Sequence, residues 1–216
     1  MNLSYAICAC NESRELSDLL EFLDTTRDKK TSEIVILIDS SNTTKNVTNV
    51  LKAHADKTRV YTRDFNNDFA EHKNFLNSKC NGTWIFNIDA DEIPREILVK
   101  EVEKFTSNTH PSVDAVVIPR INICPGYTKD FIKSHKFTIN DLGWINWPDY
   151  QVRIFKNGFK WEGKVHEKLN LEKVAAFSKE PNPLYSLWHV KSVGRQNKQN
   201  LLYDTITELS DKPVSA

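Results

Sequence analysis

The chain has 216 residues, 39% hydrophobic and 10% aromatic, which suits one domain able to bury a substantial core. Lys and Arg together number 29, and so do Asp and Glu. With no net field to draw it onto a polyanion, nucleic acid is not expected as a partner.

Residues Leu3 to Ala9 read as a buried strand, and Leu16, Leu19, Leu20 and Leu23 then fall on one stripe of an amphipathic helix. The unbroken apolar run Ile34 to Ile38 predicts a second strand covered on both faces. A polar loop from Asp39 to Thr44 leads into a helix through Val47, Val50 and Leu51, and Arg59 to Thr62 is a short third strand. Phe69, His72, Lys73, Leu76 and Cys80 share a helical face that Asn81-Gly82 is expected to stop. Thr83 to Ile88 is a fourth strand running into Asp89, and Pro94 fits the first turn of a helix carrying Leu98, Val102 and Phe105.

This alternation implies an α/β fold with a mostly parallel sheet flanked by helices. After Asp114 the strands Ala115 to Ile121 and Gln151 to Phe155 flank an aromatic loop holding Trp144 and Trp147. An apolar strand from Leu184 to Trp188 and a helix from Lys191 to Leu209, basic early and apolar at Leu202, Ile206 and Leu209, complete the chain. With no repeat and no linker, residues 1–216 are expected to form a single domain.

Met1 to Cys10 lack the basic start of a signal peptide, and no apolar run approaches the roughly 18 residues of a membrane span. A cytoplasmic location is therefore expected, which makes the sequons at Asn11, Asn42, Asn46 and Asn81 chance matches. Cys8, Cys10, Cys80 and Cys124 form no C-x-x-C pair or zinc spacing and are expected to be reduced, buried hydrophobes.

In an open α/β sheet, ligands bind beyond the carboxyl ends of the strands. Asp39 ends the second strand, and Asp89 and Asp91 follow the fourth. Two carboxylates one residue apart at a strand end can share a hard cation, magnesium or manganese, that keeps positions open for diphosphate oxygens. Alternatively, Asp91 and Glu92 favour the N-terminus of the following helix.

Asn87-Ile88-Asp89-Ala90-Asp91-Glu92, preceded by Gly82 to Phe86, resembles the D-x-D segment of family 2 glycosyltransferases with the GT-A fold. Asn11-Glu12, Asp39-Ser40-Ser41 and Phe69-Ala70-Glu71-His72-Lys73-Asn74 resemble that family's other strand-end and helix segments. Arg153-Ile154-Phe155 and Trp161-Glu162-Gly163-Lys164-Val165-His166-Glu167 resemble a W-x-G-x-V-H-E block of a subgroup that includes lipopolysaccharide-core glucosyltransferases. His189 with Lys198, Asn200 and Tyr203 resembles the subgroup's closing histidine and basic helix, so the similarity runs from about residue 3 to 204.

The resemblance implies a hexosyltransferase taking a nucleotide sugar, expected to be a uridine diphosphate sugar, and a carbohydrate-type acceptor.

 The residues 1–113 would hold the donor, and 114–216 would form the acceptor side with the C-terminal helix. Asp91 would hold the metal, with Asp89 acting directly or through ribose and water, and His189 would be a third ligand. Asn11, Glu12, Asp39, Lys73, Asp89, Ala90, Lys191 and Lys198 would line the donor site, with Asp39 accepting a hydrogen bond from the base. Asp39 could instead cap the next helix, and Lys73, Lys191, Arg195 and Lys198 could instead lie on solvated helix faces.

Inverting transfer needs a carboxylate to take the acceptor's proton. Glu167 in the resembled block is the first candidate, ahead of Asp149 and Glu162; His166 would orient a ligand or sit in the core. Trp144, Trp147 and Trp161 could stack on sugars or pack internally. The alternatives are a nucleotidyltransferase, an aspartyl-phosphate phosphatase or a non-catalytic nucleotide-sugar-binding protein. Cys10-Asn11-Glu12-Ser13 lacks the glycine-rich loop of the first, and the D-x-D lies on the wrong strand for the second.

Overall fold

The computed structural model describes residues 1–108 and 112–210, with the side chains of 209 and 210 left out, so the predicted apolar position Leu209 lies outside the described side chains. In chain order the elements begin β1 (Leu3–Ala9), α1 (Ser13–Thr26), β2 (Ser32–Asp39), α2 (Lys45–Ala53), β3 (Arg59–Arg63) and α3 (Phe69–Asn77). They continue with β4 (Trp84–Asp89), β5 (Glu92–Pro94), α4 (Glu96–Thr106), β6 (Ala115–Ile123), α5 (Lys129–Ser134) and β7 (Ile145–Lys156). The last are β8 (Trp161–Glu162), β9 (Lys168–Leu169), β10 (Val174–Ala176), β11 (Leu187–Val190) and α6 (Val193–Ser210).

The main sheet has the order β3-β2-β1-β4-β7-β6-β11-β5, with β10 also paired to β6. Its first four strands are parallel. β7 then joins antiparallel to both β4 and β6, so the second half of the sheet is mixed. The run Ile34 to Ile38 is covered on both faces as its apolarity requires: Ile34, Ile36 and Ile38 join one core cluster, and Val35 and Leu37 join the other. Leu16, Leu19, Leu20 and Leu23 of α1 lie in the first cluster, each worth about 1.5–3 kcal/mol of burial.

Local chemistry moved several boundaries. The α3 helix is capped at its start by Asp68, whose side chain accepts from the Glu71 amide, and it ends at Asn77, so Cys80 lies past it. Gly82 does not stop that helix. A Cβ there would lie 2.5 Å from the Ser4 nitrogen and 2.7 Å from the Leu3 carbonyl carbon, so glycine is required for the backbone to approach β1. Pro94 closes β5, and α4 starts after Arg95. A 3-10 turn over Pro183–Tyr185 takes the start of the expected strand, which runs instead over Leu187–Val190. The aromatic loop contains α5, held by a small cluster of Cys124, Phe131 and Ile145, and β7 begins early enough to include Trp147. All four cysteines are free, but only Cys80 and Cys124 are buried; Cys8 and Cys10 are partly exposed at the end of β1.

Candidate active site

The ends of β1, β2 and β4 bring Cys10, Asp39 and Asp89 to one edge, because the parallel register sets Cys8 beside Asp89 and Ala9 beside Ile38. Behind that edge, β6 and β7 carry charged side chains across from one another, with Arg120 paired in register to Asp149. Glu92, with 0% of its side chain exposed, accepts from Arg153 at 2.6 Å and from Arg120 at 3.1 Å. Its other oxygen accepts from the Asp89 amide at 3.0 Å, which fixes the backbone of the D-x-D segment. A buried carboxylate needs such compensation to remain charged.

Arg153 also donates to Asp89 Oδ2 at 2.7 Å. Burial pushes the Asp89 carboxyl upward, but the Arg153 guanidinium and the Lys73 ammonium outweigh it and hold the group well below the usual carboxylate range. Asp91 turns the other way, with Oδ2 lying 3.5 Å from His189 Nε2 and 3.3 Å from Lys191 Nζ. Burial raises its pKa, yet His189 and Lys191 bring it down to about 2. The His189 ring is fixed from behind, where Nδ1 meets Asn122 Oδ1 at 2.8 Å.

The 3.5 Å between Asp91 and His189 exceeds a full-strength hydrogen bond. Two neighbouring ligands of one cation, each about 2.1 Å from it, stand about 3.0–3.5 Å apart. The Asp91–His189 spacing is thus compatible with two ligands of one divalent cation, with Lys191 Nζ 3.3 Å from the same Asp91 oxygen. Among the described residues no three His, Cys, Asp or Glu side chains gather as a metal-binding group. Asp89, expected to share the cation, gives one oxygen, Oδ2, to Arg153.

Near Asp89, whose carboxylate feels its charge, Lys73 Nζ lies 2.5 Å from Glu167 Oε1 and 4.8 Å from the Trp161 ring centroid. The α6 helix closes over this pair. Its Tyr203 ring meets Phe69 and His166, each at 5.4 Å, and Arg195 anchors the helix to Glu15 of α1 at 2.6 Å. Burial, reinforced by Asp89 and Glu167, pushes the Tyr203 hydroxyl up to about 12.

A family model described as "Glycosyl transferase family 2" matches residues 4–180. The chain belongs to glycosyl transferase family 2. Its fold, GT-A, is shared with residues 1–349 of S. aureus TarS in complex with UDP-GlcNAc, at 14% identity and TM-score 0.60, covering 100% of this chain and 68% of that one. A mannosyltransferase, PcManGT from Pyrobaculum calidifontis in complex with GDP-Man and Mn2+, is similar at 14% identity and TM-score 0.55, covering 99% of this chain and 66% of that one. The chain spans 41% of a longer TarS structure. Among curated protein sequences none matches.

In this family 2 glycosyltransferase, Asp89, Asp91, His189, Lys191, Lys73 and Glu167 come together around the strand ends. Lys73 is buried in its ion pair, which excludes a solvated helix face. Ala90 packs into the core between the two aspartates. Asp39 is not a helix cap, since Thr44 caps α2; it organises its own loop, accepting from Ser41, Asn42 and the Phe65 amide. Glu12 folds back to accept the Cys10 and Asn11 amides, and the Asn11 side chain is exposed.

Lys198 is exposed on α6, outside the cluster, and His166 is exposed beside Tyr203 rather than in the core. Trp161 packs on Phe155, while Trp144 and Trp147 pack on each other at 5.0 Å. Sequence reasoning missed the roles of Arg120, Asn122, Glu92 and Arg153. A signal was present, because Arg120 and Asn122 on β6, and Asp149, Gln151 and Arg153 on β7, recur at period two within otherwise apolar strands. No helix among the described residues is long and apolar enough to cross a membrane.

Proposed function

We propose that this protein transfers a hexose from a uridine diphosphate sugar to a hydroxyl of a saccharide or other acceptor, with a divalent cation and inversion at the anomeric carbon. The observation that carries the reading is the grouping of two pairs near Asp89 at one sheet edge, Asp91 with His189 and Lys73 with Glu167. The nucleotide sugars held by TarS and PcManGT, with Mn2+ in the latter, support the donor class.

Asp91 and His189 Nε2 would hold the cation, Mn2+ or Mg2+, with Asp89 reaching it or the ribose through its second oxygen. When bound, the cation supplies Lewis-acid neutralisation of the charge on the departing diphosphate. Lys191, beside Asp91, and Lys73, near Asp89, would add positive charge for that group. Asp39, with the loop it organises, contacts the base.

The acceptor oxygen attacks the anomeric carbon opposite the diphosphate. The bond from that carbon to the phosphate oxygen breaks, and nucleoside diphosphate leaves with its electrons. The acceptor's proton passes to Glu167, which is freed as the donor diphosphate competes for the Lys73 ammonium. Asp149 is less suited as base, because Arg120 and Asn122 hold one of its oxygens and Gln151 the other.

The test is a panel of nucleotide sugars with Mn2+, Mg2+ or chelator, read by released nucleotide. Release is expected with uridine diphosphate hexoses and metal. Undiminished release in chelator, or release from guanosine diphosphate sugars alone, would contradict the reading.

A further inference from the structure

We propose that Asn122 is a positioning residue that fixes the tautomer of His189, so that Nε2 presents its lone pair beside Asp91. The inference rests on the metal-dependent reading above and assigns a residue that reading does not use. The parallel register of β6 and β11 sets Asn122 directly beside His189. The orientation of the Asn122 amide follows from its other partners: Nδ2 donates to Asp149 Oδ2 at 2.8 Å and to the Ile145 carbonyl at 3.4 Å, both of which only accept. Oδ1 is therefore the atom that meets His189 Nδ1 at 2.8 Å.

An amide oxygen cannot donate, so Nδ1 carries the proton, and a neutral imidazole then leaves Nε2 bare. Nε2 is the nitrogen that faces Asp91 at 3.5 Å. Asp149 cannot readily turn away from Asn122, because Arg120 holds the same oxygen at 2.9 and 2.7 Å and Gln151 holds the other at 2.8 Å. The relay from Arg120 through Asp149 and Asn122 to His189 thus orients a ligand nitrogen from behind, the arrangement that fixes imidazole ligands and sustains their basicity.

The experiment has two readouts. In metal-free, 15N-labelled protein at alkaline pH, where imidazole is neutral, long-range nitrogen–proton correlations report the His189 tautomer, with His189→Gln providing the assignment. Free Mn2+ is then titrated by electron paramagnetic resonance in the presence of UDP, for the unmodified protein and for Asn122→Leu, with thermal unfolding confirming that the variant is folded.

A protonated Nδ1 and bare Nε2 are expected in the unmodified protein. Asn122→Leu should lose that preference and bind Mn2+ about 10–100-fold more weakly. A bare Nδ1 in the unmodified protein overturns the proposal without any substitution. So does a folded Asn122→Leu that keeps both the tautomer and the Mn2+ affinity. If the unmodified protein holds no Mn2+, the metal reading fails and the ligand role fails with it, an outcome distinct from failure of Asn122 alone.

Discussion

Replacing Arg153 with methionine tests how the D-x-D segment is held in place. Methionine keeps much of the side chain's length and removes its charge. Glu92 would then keep only Arg120 at 3.1 Å and the Asp89 amide at 3.0 Å, with its side chain still 0% exposed. Asp89 would lose its 2.7 Å contact to Arg153 as well. Breaking a buried ion pair by removing one partner costs about 3–5 kcal/mol. Arg120 and Arg153 also repel each other, and relieving that repulsion moves the expectation toward the lower figure.

For a chain of this size each kcal/mol shifts Tm by about 2–4 °C, so a fall of roughly 6–20 °C is expected. Urea unfolding followed by circular dichroism gives the free energy, and an unchanged m-value would show that the unfolded state is not responsible. Adding Glu92→Gln to Arg153→Met removes the stranded charge, so the double variant should be more stable than the sum of the single losses by about 0.5–3 kcal/mol. A loss below about 1 kcal/mol for Arg153→Met, or strict additivity in the double variant, would refute the reasoning.

Glu167→Gln should bind donor almost normally and slow single-turnover transfer by about 10²–10⁴-fold; an unchanged rate would move the base elsewhere. Gly82→Ala should cost at least about 1–3 kcal/mol by thermal unfolding, because the new Cβ meets the Leu3–Ser4 peptide of β1 and the Trp84 carbonyl of β4. A neutral effect would mean that β1 and the turn before β4 can separate freely. Asp91 has a folded pKa of about 2, below its unfolded value, so its stabilisation is present at neutral pH and lost as pH falls from about 4 toward 2. Asp91→Asn should flatten that acid limb of stability measured by circular dichroism, and an unaltered limb would contradict the assignment.

The first half of the fold, β1 to α4, was legible because most of its strands and helices have clean periodicity. Ile34 to Ile38 could only be a strand covered on both faces, and the α1 leucines could only face the sheet. The aspartates were legible because they end those strands. The mixed half was harder: β5, β8, β9 and β10 are two or three residues long, too short to display a period. Side-chain pairing was hidden for another reason. Lys73 and Glu167 are far apart in sequence, and only the fold shows that they form one ion pair rather than two independent groups. The spacing of Asp89 and Asp91 was legible, but only the fold shows that buried Arg153 pairs with one oxygen of Asp89.

The most direct test of the account is calorimetry of UDP binding with and without Mn2+, for the unmodified protein and for Asp91→Asn. The account predicts tight binding only with metal in the unmodified protein, and in the variant a loss of at least the about 10–100-fold that more distant ligand-shell changes bring. Equal UDP affinity with and without metal, or in the variant and the unmodified protein, would contradict it.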